Sequence, residues 1–256
     1  MDPKRIEQFR AKLKSSVVVG TFCKTEDPAI IEALGYGGMD YVILDLEHGP
    51  NSIRTAQNLV RAAELSGCVP IVRTKEGIPT VISEALDIGA AGVQIPQVNS
   101  RADAQEAIRF ARYAPEGQRG VCRFVRASRY STMDRFEYFR EANTAIMILQ
   151  VEGEAGISSL GEILEVPGVD VIFIGPYDLS QSLGVAGQVD HPDVEKKMNQ
   201  IVDLCAARGV AVGTFVDTPE NAAKWRARGV RYLSYGVDVG LVAEKAAEVR
   251  SAVIGT

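Results

Sequence analysis

The stretch YVILDLEHGPNS, residues 41–52, begins as an apolar strand and ends with three ionisable side chains within four positions. Because side chains alternate between the two faces of a strand, Asp45 and Glu47 share one face. His48 opens the following loop and is one of only two histidines in the chain. Carboxylates can bind a cation, and an imidazole beside them can transfer a proton near neutral pH. The stretch therefore predicts a reactive site at the end of this strand.

Polar side chains end three further apolar strands in the same way. Arg73 ends VPIVRT, and Asp178 directly follows VDVIFIGP. In AIMILQVE, Gln150 and Glu152 are the last two residues of one face. Four strands thus bring polar groups to their carboxyl ends, where α/β barrels carry their active sites. An ion pair of Asp45 with Arg73 for structure alone is the less favourable interpretation, because buried pairs seldom add stability.

The types of these side chains narrow the chemistry. Two histidines are too few for a zinc site built on histidine, whereas carboxylates on neighbouring strands suit a hard divalent cation such as Mg or Mn. Arg73 can bind a carboxylate through two donors or polarise a carbonyl. Backbone N–H groups around Gly175, Pro176 and Tyr177 can hold a carboxylate. Together these groups suit metal-assisted enolisation of a 2-oxo acid.

The elements that must position these residues alternate regularly along the chain. Short β-branched runs predict eight strands, many almost wholly apolar, as expected for strands buried on both faces. Segments between them carry apolar residues three and four positions apart, and several end in Gly, which predicts helices. The predicted strands are 17–22, 39–47, 69–74, 91–98, 145–152, 169–176, 210–216 and 230–236, and the predicted helices include 52–67, 102–113, 191–209 and 218–229.

Eight such units in 256 residues predict an α/β fold, a (β/α)8 TIM barrel in which residues 1–256 form a single domain. A doubly wound sheet is the alternative, but no GxGxxG follows a strand.

The Arg-rich segment 114–134 is too long for a plain connection, and such segments are usually functional or interfacial. His191 in DHPDV is predicted to begin a helix, and helix capping is the structural alternative for Glu152 and Asp178.

Composition argues against several classes of protein. The net charge of -5, the pI near 5.3 and the scattered Lys and Arg residues argue against a nucleic-acid or acidic-membrane partner. No apolar run approaches the roughly 20 residues of a transmembrane helix, and the polar first residues lack the apolar core of a signal peptide. The four cysteines are far apart and form no CxxC, so we expect reduced thiols in a cytoplasmic protein.

Several stretches together resemble the HpcH/HpaI aldolase family of metal-dependent, class II pyruvate aldolases. The resemblance begins near residue 15 and rests on LDLEHGPN, VPIVRT, LDIGAAGVQIPQV, RYAPEGQRGV, ILQVEGEAG, GVDVIFIGPYDLSQSLG and HPDV, in the family's order and spacing. It implies a barrel whose C-terminal helix is exchanged between the subunits of a homohexamer. It also implies reversible cleavage of a 2-oxo-4-hydroxy acid to pyruvate and an aldehyde, with Mg, Mn or Co as the divalent cofactor.

The resemblance also implies roles for individual residues. It makes Glu152 and Asp178 the metal ligands. It makes Arg73 the group that stabilises the pyruvate enolate, with Asp45 to orient it. The residues that it places next to the substrate are Gln150, Gly175, Pro176 and Tyr177.

His48 and Asp87, the aspartate of LDIGA, become the dyad for proton transfer through the same resemblance, although the residues alone place Asp87 on a helix surface. The chain departs from the family around the pocket. It has LEHGP where Gly-Glu-His-Ala-Pro is common, PQV where Pro-Met-Val is common, and Tyr177 where a small residue is usual. These differences leave the aldehyde open, and related members carry out decarboxylation or carbon–carbon bond formation through the same enolate.

Two other hypotheses compete with a metal-dependent aldolase. A Schiff-base aldolase would use Lys75, two residues after Arg73, or Lys24 after the first strand. Against it, Lys75 lies in the loop KEGIP, and the sequence shows no apolar pocket around either lysine. The other hypothesis is a barrel that binds an acid without turning it over, and the complete set of polar strand ends argues against it.

Overall fold

Eight parallel strands close into a barrel in which each strand pairs with the next in chain order and β8 pairs with β1. The structure is a computed structural model that describes residues 2–255. The strands are β1 Val18–Cys23, β2 Tyr41–Asp45, β3 Val69–Arg73, β4 Gly92–Ile95, β5 Ile146–Val151, β6 Val171–Ile174, β7 Ala211–Val216 and β8 Tyr232–Val237. All eight predicted strands and the (β/α)8 fold are confirmed.

Helices cover the outside of the barrel and one helix closes its amino end. They are α1 Pro3–Ser15, α2 Pro28–Tyr36, α3 Ile53–Ser66, α4 Pro79–Asp87, α5 Arg101–Ala111, α6 Arg135–Ala142, α7 Glu154–Ser158, α8 Leu160–Ile163, α9 Pro176–Ser182, α10 Pro192–Arg208, α11 Pro219–Arg228 and α12 Asp238–Ile254. The four helices whose residue ranges were predicted correspond to α3, α5, α10 and α11.

His191 is the N-cap of α10, and its Nδ1 accepts from the backbone N–H of Asp193. This position agrees with the structural interpretation of His191 as a residue that begins a helix.

The alternation predicted for the second strand is confirmed. Val42 and Leu44 pack outward under the helices, whereas Tyr41 and Ile43 pack inside the barrel. Every residue of β2 is buried, because the strand has helices on one side and the filled barrel on the other. The same alternation sends Asp45 inward at the carboxyl end of the strand.

Aromatic side chains fill the amino half of the barrel. The rings of Tyr41 and Tyr232 stack with centroids 4.0 Å apart, and Phe9 of α1 meets both rings edge-on. Gly20 leaves room for this stack, since a Cβ there would lie 2.5 Å from the Tyr41 ring. The amino end of the barrel is therefore plugged, and an open cavity inside the barrel is left to the carboxyl end.

The C-terminal helix α12 extends away from the barrel. From residue 242 to residue 255 every described side chain is exposed. Val242, Val249 and Val253 are among the exposed apolar residues, at 57%, 51% and 78% exposure. Such a row of exposed apolar side chains on one helix is typical of an interface with another chain.

Two general expectations can be checked on residues 2–255. The four cysteines, all within this range, are free thiols, and three of them are buried. None of the helices described in this range is both long and apolar enough to cross a membrane.

Candidate active site

The carboxyl end of the barrel holds a buried ion pair between neighbouring strands. Arg73 on β3 donates from Nε and Nη2 to the two oxygens of Asp45 on β2, at 2.9 and 2.8 Å. Asp45 also accepts from the backbone N–H groups of Glu47 and His48. Burial by itself would raise the pKa of Asp45, but the hydrogen bonds and charge of Arg73 lower it below its usual value. The pair thus holds the guanidinium in one orientation at the mouth of the barrel.

Glu47 and His48 continue this arrangement toward the rim. Nη1 of Arg73 lies 2.8 Å from Oε2 of Glu47, so the guanidinium faces two carboxylates. Burial raises the pKa of Glu47, and the charges of Asp45 and Asp178 add to this rise while Arg73 opposes it. The side chain of His48 is exposed at the rim. Solvent therefore reaches the imidazole at the carboxyl end of the barrel.

A chain of buried amides orients Glu152 at the end of β5. Nε2 of Gln94 on β4 donates to Oε1 of Gln150 at 2.8 Å, and Nε2 of Gln150 donates to Oε2 of Glu152. The other oxygen of Glu152 accepts from the backbone N–H of Gln97 at 3.1 Å. Gln97 has a positive φ of 54°, a strained conformation that aims its N–H at this carboxylate. Glu152 therefore has a fixed orientation, with lone pairs left over on both oxygens.

Glu152 and Asp178 converge on one point beside Gly175. A Cβ at Gly175 would lie 2.7 Å from Oε2 of Glu152 and 3.4 Å from Oδ2 of Asp178. Burial raises the pKa of Glu152 to about 7, and the charge of Asp178 adds to the rise. Gly153 and Gly175 occupy the N-cap positions of α7 and α9, so the capping alternative for the two acids is wrong.

This donor set fits a hard divalent cation. In residues 2–255 no group of three or more His, Cys, Asp and Glu side chains is arranged to hold a metal. Mg²⁺ typically uses only one or two protein carboxylates and completes its shell with waters and substrate oxygens. The two converging carboxylates match that requirement, and a bound cation would oppose both the burial and the Asp178 charge that raise the pKa of Glu152.

A cavity of about 160 Å³ opens beside these groups. Arg73, Gln150 and Asp178 form its polar wall, together with Gly175 and Pro176. The remaining lining residues are Phe22, Lys24, Phe173, Tyr177, Phe215 and Val237. The space suits a small acid of a few carbon atoms.

Tyr177 stands at the outer edge of this cavity. Its hydroxyl donates to Oδ2 of Asp217 at 2.6 Å, and this bond, together with burial, raises the pKa of Tyr177 to about 12. The ring also packs edge-on against Phe215, with centroids 5.9 Å apart. Tyr177 is thereby held as a neutral, fixed wall of the cavity. Its place beside the substrate stays a prediction.

Asp87 does not join His48 within one chain. It is the last residue of α4, and helices of the barrel run back toward the amino ends of the strands. There it pairs with Arg119 of the Arg-rich segment. The structure thus agrees with the helix-surface interpretation of Asp87, and the dyad implied by the family resemblance is not formed inside a single subunit.

The Arg-rich segment 114–134 also lies away from the site. Arg119 is held by Asp87, and Arg126 forms an ion pair with Glu64 of α3 while donating to the carbonyl of Ile88 at 3.0 Å. These contacts keep the segment at the amino end of the barrel. Within the chain, its arginines therefore do not reach the acid groups of the site.

The two lysines of the Schiff-base hypothesis differ in position. Lys75 is exposed and does not line the cavity described above, which argues against its role as a nucleophile. Lys24 does line the cavity, next to apolar side chains, so the expectation that no apolar pocket surrounds it is wrong. Its Nζ lies 3.6 Å from Oδ2 of Asp45, so Lys24 forms an ion pair with the carboxylate that also binds Arg73.

Sequence reasoning missed Gln94 as part of the site. Strand alternation is the signal that could have found it, because Gly92 and Gln94 share the inward face of β4. Alternation likewise places Lys24 two positions after Phe22 on the inward face that continues β1. Glu47 was placed on the inward face but not assigned a role.

The whole chain is similar to several known proteins. The HpcH/HpaI aldolase/citrate lyase family profile matches residues 19–245. The chain is 34% identical to 2-dehydro-3,6-dideoxy-6-sulfogluconate aldolase of Pseudomonas putida, over 94% of each chain. It is 35% identical to 5-keto-4-deoxy-D-glucarate aldolase of Shigella dysenteriae serotype 1, over 91% of each chain. A crystal structure of a family protein from Burkholderia cenocepacia J2315 superposes with a TM-score of 0.91 at 31% identity, covering 96% of this chain and 98% of that one.

Proposed function

Because the chain belongs to the HpcH/HpaI aldolase/citrate lyase family, we propose that it cleaves a 2-oxo-4-hydroxy acid reversibly to pyruvate and an aldehyde. Its relatives are aldolases, and the chain is an enzyme of the same class, a carbon–carbon lyase. The observation that carries the proposal is the convergence of Glu152 and Asp178 beside Gly175, next to a cavity at the carboxyl end of the barrel that Asp178 and Arg73 line.

Glu152 and Asp178 would hold a divalent cation, Mg, Mn or Co. When bound, such a cation acts as a Lewis acid on the 2-oxo group of the substrate. The amide chain from Gln94 through Gln150 holds Glu152 in place for this task. Side chains that orient ligands in this way typically change metal affinity by about 10–100-fold when removed.

Arg73 would stabilise the negative charge that develops on the ketone oxygen when the bond between C3 and C4 breaks. Its guanidinium is preorganised by Asp45 and Glu47, so little reorganisation is needed during the reaction. His48 at the rim would accept the proton of the 4-hydroxyl group as the aldehyde leaves. A partner for His48 from Asp87 would have to come from a second copy of the chain, because the two residues lie at opposite ends of one barrel.

We also propose that the active form is a homohexamer with exchanged C-terminal helices. The support is the exposed apolar face of α12, which its own barrel does not cover. Three buried free thiols suit a reducing compartment, in line with a cytoplasmic location.

Proton exchange at C3 of pyruvate tests the proposed function without an aldehyde. Wild-type protein with Mg²⁺ or Mn²⁺ should exchange these protons into deuterated water, as followed by proton NMR. Glu152→Gln and Asp178→Asn should each slow the exchange by at least about tenfold. The matched control is Glu154→Gln, an exposed glutamate two residues away that should keep the wild-type rate. If both site variants, after exhaustive chelation, still exchanged the C3 protons at the wild-type rate, the proposal would be overturned.

A further inference from the structure

The cavity of the candidate active site has one side that carries charged and polar groups. Arg73 is the last residue of β3, Gln150 lies near the end of β5, and Asp178 follows β6. Lys24 also lines the cavity, and its Nζ lies 3.6 Å from Oδ2 of Asp45, the oxygen that accepts from Arg73. Both cations are therefore paired with the end of β2, and a 2-oxo acid would find its charged partners on this side.

The other side of the cavity is apolar from its floor to its rim. The ring of Phe22 contacts the rings of Phe173 and Phe215, with centroids 6.0 and 6.1 Å apart, and Phe215 contacts Tyr177 at 5.9 Å. Phe22 and Phe173 are buried and form the floor, whereas Tyr177 is 45% exposed at the rim. Val237 at the end of β8 adds an aliphatic side chain. We call these five side chains the apolar wall.

The apolar wall offers no free side-chain donor to a bound molecule. Its single polar side-chain atom is the hydroxyl oxygen of Tyr177, and this hydroxyl donates to Oδ2 of Asp217 at 2.6 Å. Asp217 itself is not among the residues that line the cavity. A hydroxyl group placed against this wall would lose its hydrogen bonds to water and find no side-chain donor in return, which is unfavourable.

The floor of the cavity leaves no path deeper into the barrel. Phe173 packs edge-on against Tyr232, with centroids 6.1 Å apart, and Tyr232 stacks on Tyr41 toward the amino end. The cavity of about 160 Å³ is also small beside the roughly 300–1,000 Å³ of typical ligand pockets. A 2-oxo acid whose acid end contacts Arg73 would therefore place the carbon chain of its aldehyde half against the apolar wall.

We propose that the aldehyde half of the substrate is a short aliphatic chain without hydroxyl groups, and that the ring of Tyr177 selects it. The inference rests on the aldolase function proposed above. In the addition direction, C3 of pyruvate loses a proton and bonds to the carbonyl carbon of the aldehyde, whose oxygen gains a proton. The remaining carbon atoms of the aldehyde leave water and contact Tyr177, Phe215 and Val237. An apolar pocket rejects a similar molecule that carries one added hydroxyl by up to about 100-fold.

The experiment compares propanal with glyceraldehyde, which has the same number of carbon atoms and two added hydroxyl groups. The value of kcat/KM for addition to pyruvate is measured with Mg²⁺, and the readout is the ratio of propanal to glyceraldehyde. The proteins are the wild type, Tyr177→Ala, which removes the ring, and Tyr177→Phe, which keeps the ring and loses only the hydroxyl. Tyr36→Ala is the matched control, because Tyr36 is an exposed tyrosine at the end of α2, on the outside of the barrel.

We expect the wild type to prefer propanal by at least about tenfold. Tyr177→Ala should lower the ratio by at least about tenfold, because the apolar contact is lost and the carboxylate of Asp217 becomes free to accept from the hydroxyl groups of glyceraldehyde. Tyr177→Phe and Tyr36→Ala should keep the wild-type ratio.

A wild type that favours glyceraldehyde, or an unchanged ratio in Tyr177→Ala, overturns the inference. An equal fall in Tyr177→Phe would assign the preference to the hydroxyl of Tyr177 and overturn it too. A partial loss of folding lowers both rates and leaves the ratio unchanged, so it does not imitate the expected fall. Exchange of the C3 protons involves no aldehyde, so its absence in the wild type refutes the proposed function, whereas exchange without a preference for propanal refutes this inference alone.

Discussion

Replacing Arg73 with Met should destabilise the protein mainly by leaving Asp45 charged and buried. The change removes two hydrogen bonds to Asp45, which has no exposed surface, and the ion pair to Glu47. Removing one partner of a buried pair typically costs about 3–5 kcal/mol. Two backbone N–H groups and Lys24 remain next to Asp45, so we expect the lower end, about 3 kcal/mol, or roughly a 150-fold shift in the unfolding equilibrium.

The pH dependence identifies Asp45 as the cause of this cost. In the wild type the pKa of Asp45 is lowered, so its stabilising contribution is present above the unfolded value of about 3.9 and is lost as the pH falls through the folded value. In Arg73→Met burial is no longer offset, and the folded pKa should rise above the unfolded one. Protonation then relieves the cost at low pH, so the stability difference should be largest near pH 7 and shrink toward about pH 4.

Urea unfolding followed by fluorescence measures this difference. Trp225 is the only tryptophan and it is buried on α11, so its emission reports unfolding of the barrel. Protein concentration must be held constant, because assembly makes the midpoint depend on it. Adding Asp45→Asn to Arg73→Met removes the buried charge and should recover part of the stability near neutral pH. A stability difference between Arg73→Met and wild type that is equal at both pH values would refute the reasoning.

Three further predictions follow from the site and the C-terminal helix. Burial and the charge of Asp178 raise the pKa of Glu152 to about 7, so near neutral pH Mg²⁺ must displace a proton from Glu152 in a fraction of the molecules. The Mg²⁺ affinity measured by calorimetry should therefore increase from about pH 6 to about pH 8, and a constant affinity would contradict this. Gln94→Leu frees the amide of Gln150 and should weaken Mn²⁺ binding about tenfold, whereas unchanged binding would show that the amide chain does not orient Glu152. Deleting residues 240–256 removes most of α12 and should abolish assembly and solubility; light scattering that finds the intact chain monomeric would refute the proposed oligomer.

The sequence determined the strands and the direction of their side chains. Each strand of a parallel barrel is buried on both faces, so it stands out as a short apolar run between helical segments. Because the side-chain period is two, the positions of Asp45, Arg73 and Glu152 on the inward face could be read without coordinates. That parallel strands end at the same rim is a general property of the fold, which is why the polar strand ends could be grouped into one site.

Only the tertiary structure decided which of these side chains contact one another. Closure of the ring brings Glu152 and Asp178 to the same point beside Gly175, and it joins Gln94 to Gln150 across two strands. It also sends Asp87 to the opposite end of the barrel, where it pairs with Arg119. These distances depend on the register between strands and on the return path of each helix, and local periodicity carries information on neither. For the same reason the sequence could place Lys24 after β1, but only the packed barrel shows that Lys24 lines the same cavity as Arg73 and that both side chains pair with Asp45.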